Sequence, residues 1–254
     1  MTHPYLTGAR RPRVLAHRGL VTPEMAADGV AENSIAAIAA AHAAGVEYVE
    51  SDCHATADGE IVLFHDDTLE RVTGDPRPIS QVGWRELADL MAPRGGLAVL
   101  SDTLRDFPAV RFNIDVKADA AARRAGEIVA DHADRVLLTS FDDGRRMAAL
   151  AAAGGEPATS AGSSLIARIV GAAAVGLRGR ADRLLRTVDA LQIPERRGPV
   201  PVVTARLIRW AHDAGVEIHV WTVNDTGRMR ALVDRGVDGV VTDRADAALA
   251  VFPA

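Results

Sequence analysis

An Ala-rich segment that ends at a glycine and runs into a β-branched strand recurs along this 254-residue chain. The copies are Gly45-Val46-Glu47-Tyr48-Val49-Glu50-Ser51-Asp52, Gly215-Val216-Glu217-Ile218-His219-Val220-Trp221-Thr222 and Gly236-Val237-Asp238-Gly239-Val240-Val241-Thr242-Asp243. In each, the glycine suits a helix C-terminal cap and the run after it suits a buried parallel strand. Strand and helix candidates alternate over the whole length, and no G-x-G-x-x-G follows the first strand, which argues against a dinucleotide-binding sheet. Together these observations predict an α/β fold: one domain spanning residues 1–254, a single (β/α)₈ TIM-type barrel with a β-hairpin and an irregular insertion at about residues 53–102.

The elements follow in order. Residues 14–17 form the first strand, ending in His17-Arg18. A helix over 34–44 follows the capping pair Asn33 and Ser34, and the strand of 45–52 comes next. Asp58-Gly59 is a tight-turn signal, so residues 52–65 read as a hairpin whose second arm is 61–65. That arm is the strand candidate in excess of the eight a barrel needs. Residues 66–102 carry Pro76, Pro78, Gly83, Pro93, Gly95 and Gly96 and read as an irregular insertion over the barrel. Strands at 112–116, 136–140, 158–160 and 190–193 follow, with Ala-rich helices at 120–132 and 143–153 between the first of them. The glycine-headed units at 215 and 236 supply the last two strands.

Composition narrows the function. Hydrophobic residues make up 48% of the chain, enough for a large core, and the net charge of −5 gives no basic field for nucleic acid. Cys53 is the only cysteine, so no internal disulfide forms. No signal-like run opens the chain and no segment has the length of a membrane span, so a cytoplasmic location is expected. No feature singles out an oligomeric interface. The arginines between 178 and 197 read as a solvated face, Cys53 as packed behind the barrel, and the sequon at Asn224 as irrelevant without secretion.

In a βα barrel the C-terminal strand ends carry the chemistry, and here those ends are ionisable. Glu50 and Asp52 lie on one face of their strand, as do Asn113, Asp115 and Lys117. Inward-facing carboxylates raise each other's pKa unless a cation lies between them. Glu50, Asp52 and Asp115 without cysteine suit a hard divalent ion, Mg²⁺ or Ca²⁺. His17 and His65, at two strand ends, suit proton transfer near neutral pH. Arg18 and Lys117 suit an anionic group. The set suits hydrolysis of a phosphate ester.

The strings AHRG (16–19), EN (32–33), VESDCHATADGEIVLFHDDTLERVTG (49–74), NIDVK (113–117) and WTVN (221–224) resemble the ordered motifs of glycerophosphodiester phosphodiesterases, from about residue 3 to about residue 245. The resemblance implies a TIM-type barrel that hydrolyses a small-molecule glycerophosphodiester to glycerol 3-phosphate and an alcohol. It implies His17 and His65 as the acid–base pair and Arg18 on the phosphate, with Lys117 approaching it. Glu50, Asp52 and Asp115 would hold the divalent metal, with Glu32 completing or flanking that sphere. Trp221 would wall the glycerol pocket, and Phe141 resembles another family position. In the implied reaction a glycerol hydroxyl attacks phosphorus and water then opens the cyclic phosphate. Two features depart from the pattern: the gap from His17 to Glu32 is long, and position 115 is Asp where the family more often has Glu. A lysophospholipase D-like enzyme would use the same core with an apolar groove, built from the loop of 20–31 or the insertion of 66–102. A binding barrel without catalysis, and a carbonyl enzyme using Lys117, are the other readings.

Overall fold

The structure is a computed structural model and describes residues 2–253. Its strands are β1 (Arg13–His17), β2 (Tyr48–Ala55), β3 (Ile61–Leu63), β4 (Arg111–Val116), β5 (Val136–Thr139), β6 (Ala158–Thr159), β7 (Ala190–Pro194), β8 (Arg196–Arg197), β9 (Val200–Pro201), β10 (Glu217–Trp221) and β11 (Gly239–Thr242). Eight of them pair in the order β6-β5-β4-β2-β1-β11-β10-β7, all parallel. A parallel bridge between Ser160 and Ala190 joins the two ends of that path. The fold is the expected TIM-type barrel, with helices around it. β3 pairs antiparallel with the end of β2, so the surplus strand candidate is the second arm of a hairpin.

Alternation along each strand divides the core in two. One set of side chains, among them Val14, Val49, Phe112, Leu138, Ile193 and Val220, faces outward and is buried beneath the helices. The other set, including Leu15, Tyr48, Leu137, Ala190 and Val241, fills the barrel interior. The alanine content serves the outer layer, because small residues let backbones approach. At Gly126, in the helix Asp119–Val129, an added Cβ would lie 2.1 Å from the Ala149 carbonyl oxygen of the neighbouring helix.

The N-terminal strand ends are closed by a network the sequence reading did not anticipate. Arg13, with a fully buried side chain, donates from Nε to Glu217 Oε2 at 2.6 Å, from Nη2 to Glu217 Oε1 at 2.8 Å and from Nη1 to the Tyr48 hydroxyl at 2.8 Å. A 3₁₀ turn, Pro4–Leu6, plugs that end: Tyr5 packs edge-on against Tyr48 at 5.2 Å, and its carbonyl accepts from the Tyr48 hydroxyl at 2.8 Å.

The insertion is more regular than its proline and glycine content suggests. It contains the helices Glu70–Thr73 and Trp84–Met91, and the helix Leu100–Asp106 begins at its end. Leu69, Ile79, Val82, Leu87 and Met91 form a separate small core with Val62 and Phe64 of the hairpin. Helix 84–91 starts at Gly83, which has no capping side chain, so its start signal comes from elsewhere: Asp58, in the hairpin turn, accepts from the Trp84 amide at 3.1 Å. Among the described residues no helix is long and apolar enough to cross a membrane.

Candidate active site

Parallel register assembles the site. His17 on β1 stands beside Glu50 on β2, and on β4 Asn113 stands beside Glu50 and Asp115 beside Asp52. These side chains line one cavity of about 650 Å³ at the C-terminal end of the barrel, together with Arg18, His65, Lys117 and Trp221. Of the residues assigned a catalytic, metal-holding or substrate-binding role from the sequence, Glu32 alone stands outside the lining of that cavity.

Each histidine is anchored through Nδ1. His17 Nδ1 lies 2.6 Å from Asp243 Oδ1, and His65 Nδ1 lies 2.6 Å from Asp66 Oδ1. A carboxylate can only accept, so each Nδ1 contact places a proton on that nitrogen and leaves Nε2 as the unanchored ring nitrogen. Asp243 is itself fixed by Asn224, whose Nδ2 donates to Oδ2 at 2.7 Å; the hydrogen bond with His17 holds the Asp243 carboxyl below its usual range. The arginine Arg71 donates to Asp66 and is the main reason its carboxyl is held at about 2.

Arg18 adopts φ +60°, in the left-handed region that few arginines occupy. Its backbone is tied on both sides: its amide donates to the Glu50 carbonyl at 2.7 Å, and its carbonyl accepts from the Asn33 amide at 2.8 Å. The next residue, Gly19, has φ +86°, and a Cβ there would lie 2.7 Å from the Ala37 carbonyl carbon. This turn aims the Arg18 guanidinium between Glu32, at 2.7 Å, and Asp52, at 3.1 Å. Lys117 Nζ lies 2.8 Å from Asp52 Oδ1 and 2.6 Å from Asp115 Oδ2. Burial would lower the Lys117 pKa, but those two carboxylates raise it instead, so the amine is protonated and unsuited to attack a carbonyl.

Among the described residues, no three His, Cys, Asp or Glu side chains are grouped to hold a metal ion as they stand. Glu32 Oε1 is engaged by Arg18 and Arg71, each at 2.7 Å, and Lys117 occupies the space between Asp52 and Asp115. The donor chemistry nevertheless fits a hard cation. Glu50 Oε2 and Asp115 Oδ1 are buried carboxylate oxygens without a hydrogen-bond donor. Burial, then the charges of Asp52 and Asp115, push the Glu50 carboxyl well up. Unneutralised buried carboxylates are what a divalent ion relieves.

The far side of the cavity is apolar. Phe141, Ala161, Ile166, Ala167, Val170 and Val202 line it, and Phe141 meets Trp221 edge-on at 5.8 Å. The apolar surface therefore comes from the helix Ser163–Ala174 and its neighbours, not from the loop of 20–31 or the insertion of 66–102. Cys53 is buried behind the barrel, where its thiol pKa is pushed up by burial. The sequence places Asp66, Asn224 and Asp243 at polar strand ends without giving them a role, and Arg71 carries no signal there at all. The signal for Asp66 was its position directly after His65; for Asp243 it was only an acidic residue at the last strand end.

Residues 17–247 match the glycerophosphoryl diester phosphodiesterase family. The chain is 35% identical over 235 residues to a probable glycerophosphodiester phosphodiesterase of Mycobacterium tuberculosis, covering 91% of this chain and 87% of that protein. Over 102 residues it is 31% identical to a human lysophospholipase D, covering 35% of this chain and 32% of that protein. Among solved structures, a glycerophosphodiester phosphodiesterase of Thermotoga maritima superposes with a TM-score of 0.71 at 25% identity, covering 94% of this chain and 96% of that one. A phosphodiesterase of Oleispira antarctica, in complex with the product sn-glycerol-3-phosphate, shares the fold with a TM-score of 0.74 at 20% identity over 96% of this chain and 98% of that one.

Proposed function

This chain belongs to the glycerophosphoryl diester phosphodiesterase family, and on that premise we propose that it hydrolyses glycerophosphodiesters to sn-glycerol 3-phosphate and an alcohol by histidine acid–base catalysis with a divalent metal. The observation that carries the reading is the pair of aspartate-anchored histidines facing one cavity with Arg18 and Lys117. Arg18 and Lys117 bind the non-bridging phosphate oxygens and offset their charge. One histidine accepts the proton of the neighbouring glycerol hydroxyl as its oxygen bonds to phosphorus. The other gives a proton to the departing alkoxide as the phosphorus–oxygen bond to the alcohol breaks. Water then opens the cyclic ester with the two proton transfers reversed. Glu50, Asp52 and Asp115 would hold the metal, with Glu32 beside them, and Mg²⁺ or Ca²⁺ would add positive charge at the phosphate. Trp221 would wall the glycerol pocket.

A second reading rests on the apolar wall: lysophospholipase D-like hydrolysis, in which Ile166, Val170 and Val202 take the acyl chain of a lysolipid. The test is glycerol 3-phosphate release from glycerophosphocholine by metal-stripped protein, with and without Mg²⁺ or Ca²⁺, beside His17→Ala. Metal-dependent release that is lost in the variant is the expected result. Full activity in His17→Ala, or release indifferent to metal, would refute the acid–base or the metal part. Turnover of lysolipid only would favour the second reading.

A further inference from the structure

Arg71 lies outside the catalytic cavity, on the short helix Glu70–Thr73 of the insertion, with a side chain 52% exposed. An exposed arginine with two carboxylate partners is normally a surface ion pair that contributes little to stability. Its partners here are not ordinary. Nε donates to Asp66 Oδ2 at 2.6 Å and Nη2 donates to Glu32 Oε1 at 2.7 Å. Asp66, through its other oxygen, holds His65 Nδ1 at 2.6 Å, and the same Glu32 oxygen accepts from Arg18 Nη1 at 2.7 Å. One guanidinium thus joins an unbroken chain of contacts, Arg18–Glu32–Arg71–Asp66–His65, linking β1 to the segment after β3.

The helix that carries Arg71 is fixed. Leu69 is fully buried in the insertion's core with Val72 against it, and the Leu69 amide donates to the Arg77 carbonyl at 3.0 Å. Gly74 ends the helix at φ +82°. Glu32 comes from the other wall, at the end of the long loop, where the Ala31 amide donates to the Arg94 carbonyl at 2.9 Å. Arg71 therefore adds a side-chain link between the long loop and the insertion, which the Ala31–Arg94 hydrogen bond already joins through the backbone.

We propose that Arg71 is a positioning residue that sets the Arg18 guanidinium and the His65 imidazole in register, by holding Glu32 with one edge of its fork and Asp66 with the other. The proposal rests on the reading of His65 and Arg18 as catalytic and phosphate-binding groups. A lysine presents one compact ammonium in place of the planar fork, so it cannot meet Glu32 and Asp66 with two separate nitrogens held in fixed geometry. The Asp66 carboxyl, kept far down by this contact, stays a pure acceptor and keeps the Nδ1 proton on His65.

The test is steady-state kinetics on glycerophosphocholine with Arg71→Ala, Arg71→Lys, Asp66→Asn, Arg71→Ala/Asp66→Asn and His65→Ala, each beside a thermal melt. Arg71→Ala is expected to lose about 10–100-fold in kcat/KM, the range typical of residues that orient a catalytic group. The loss should be divided between a lower kcat, from His65, and a higher KM, from Arg18, with the melting temperature held. Asp66→Asn should lower kcat alone, and the double variant should show much less than the product of the two single losses. Guanidinium ion added to Arg71→Ala should recover activity while ammonium at equal ionic strength should not, and Arg71→Lys should stay several-fold below the parent. Wild-type kinetics in Arg71→Ala, or losses that multiply in the double variant, would overturn the proposal. So would a loss that simply tracks a lower melting temperature. His65→Ala separates the premise: an active His65→Ala removes the histidine reading itself, whereas an inactive His65→Ala beside a normal Arg71→Ala removes only the positioning role.

Discussion

Replacing Glu217 by glutamine would strike the barrel at the end opposite the catalytic cavity. The Glu217 side chain is 6% exposed and takes three donors from arginine, two from Arg13 and one from Arg11 at 2.5 Å, and lies 3.1 Å from His219 Nε2. Burial alone would push its carboxyl up; the hydrogen bonds of Arg13 and His219 overcome this and hold it at about 2, against 4.5 for a free glutamate. A carboxyl depressed by that much contributes about 3 kcal/mol at neutral pH. The same order follows from breaking a buried pair and leaving one charge unmatched, about 3–5 kcal/mol. For a chain of this size a loss of about 3 kcal/mol lowers the melting temperature by about 6–12 °C. The sign with pH is fixed, because the folded pKa lies below the unfolded one. The contribution is complete above pH 4.5 and disappears as pH falls towards 2. Glutamine does not titrate, so the gap in melting temperature between the two proteins should be widest near neutrality and shrink from about pH 5 downward. Thermal unfolding followed by circular dichroism across that range measures it. Turnover at temperatures well below the melt should be unchanged. A gap below 2 °C at pH 7, or one that widens on acidification, would refute the assignment of Glu217 as an ionised, arginine-bound carboxylate.

Other expectations follow from the catalytic end. Asp243→Asn leaves the size of the side chain intact but removes the obligatory acceptor at His17 Nδ1, so kcat should fall by about 10²–10⁴-fold with little change in folding, measured by initial rates and a thermal melt. Gly19→Ala places a methyl 2.7 Å from the Ala37 backbone at a φ of +86°; it should destabilise by about 1–3 kcal/mol in a denaturant titration and raise KM by shifting Arg18. Val170→Asp puts a charge into the apolar wall and should reduce turnover of a lysolipid while sparing glycerophosphocholine, read by product release from each.

What the sequence made legible was governed by short-range periodicity. The alternation Glu50-x-Asp52 and Asn113-x-Asp115 assigns a face to each residue, and parallel pairing then brings those faces together without further information. The hairpin was readable from Asp58-Gly59, a turn signal of two residues. The features that escaped depend on closure of the barrel or on contacts between loops. His17 and Asp243 are 226 positions apart and meet only because β11 closes against β1. Arg71 lies on a four-residue helix within a stretch whose prolines and glycines mask its regularity, and its partners come from two different segments. Arg13 and Glu217 read as ordinary residues at strand starts, since charge at such positions is usually solvated; the Tyr5 plug that buries them has no periodic signature.

The barrel interior holds charge at both ends, with apolar side chains among those between. Leu15, Leu137 and Val241 form an apolar tier between the Arg13–Glu217 pair and the carboxylates around Lys117. Such a tier acts as an insulator within a single molecule. Proton movements, incoming anions and cations at the mouth are solvated or matched locally, and the opposite end has its own neutral pair. Substitutions confined to the sealed end are therefore expected to act on stability and to leave the charges at the mouth in place.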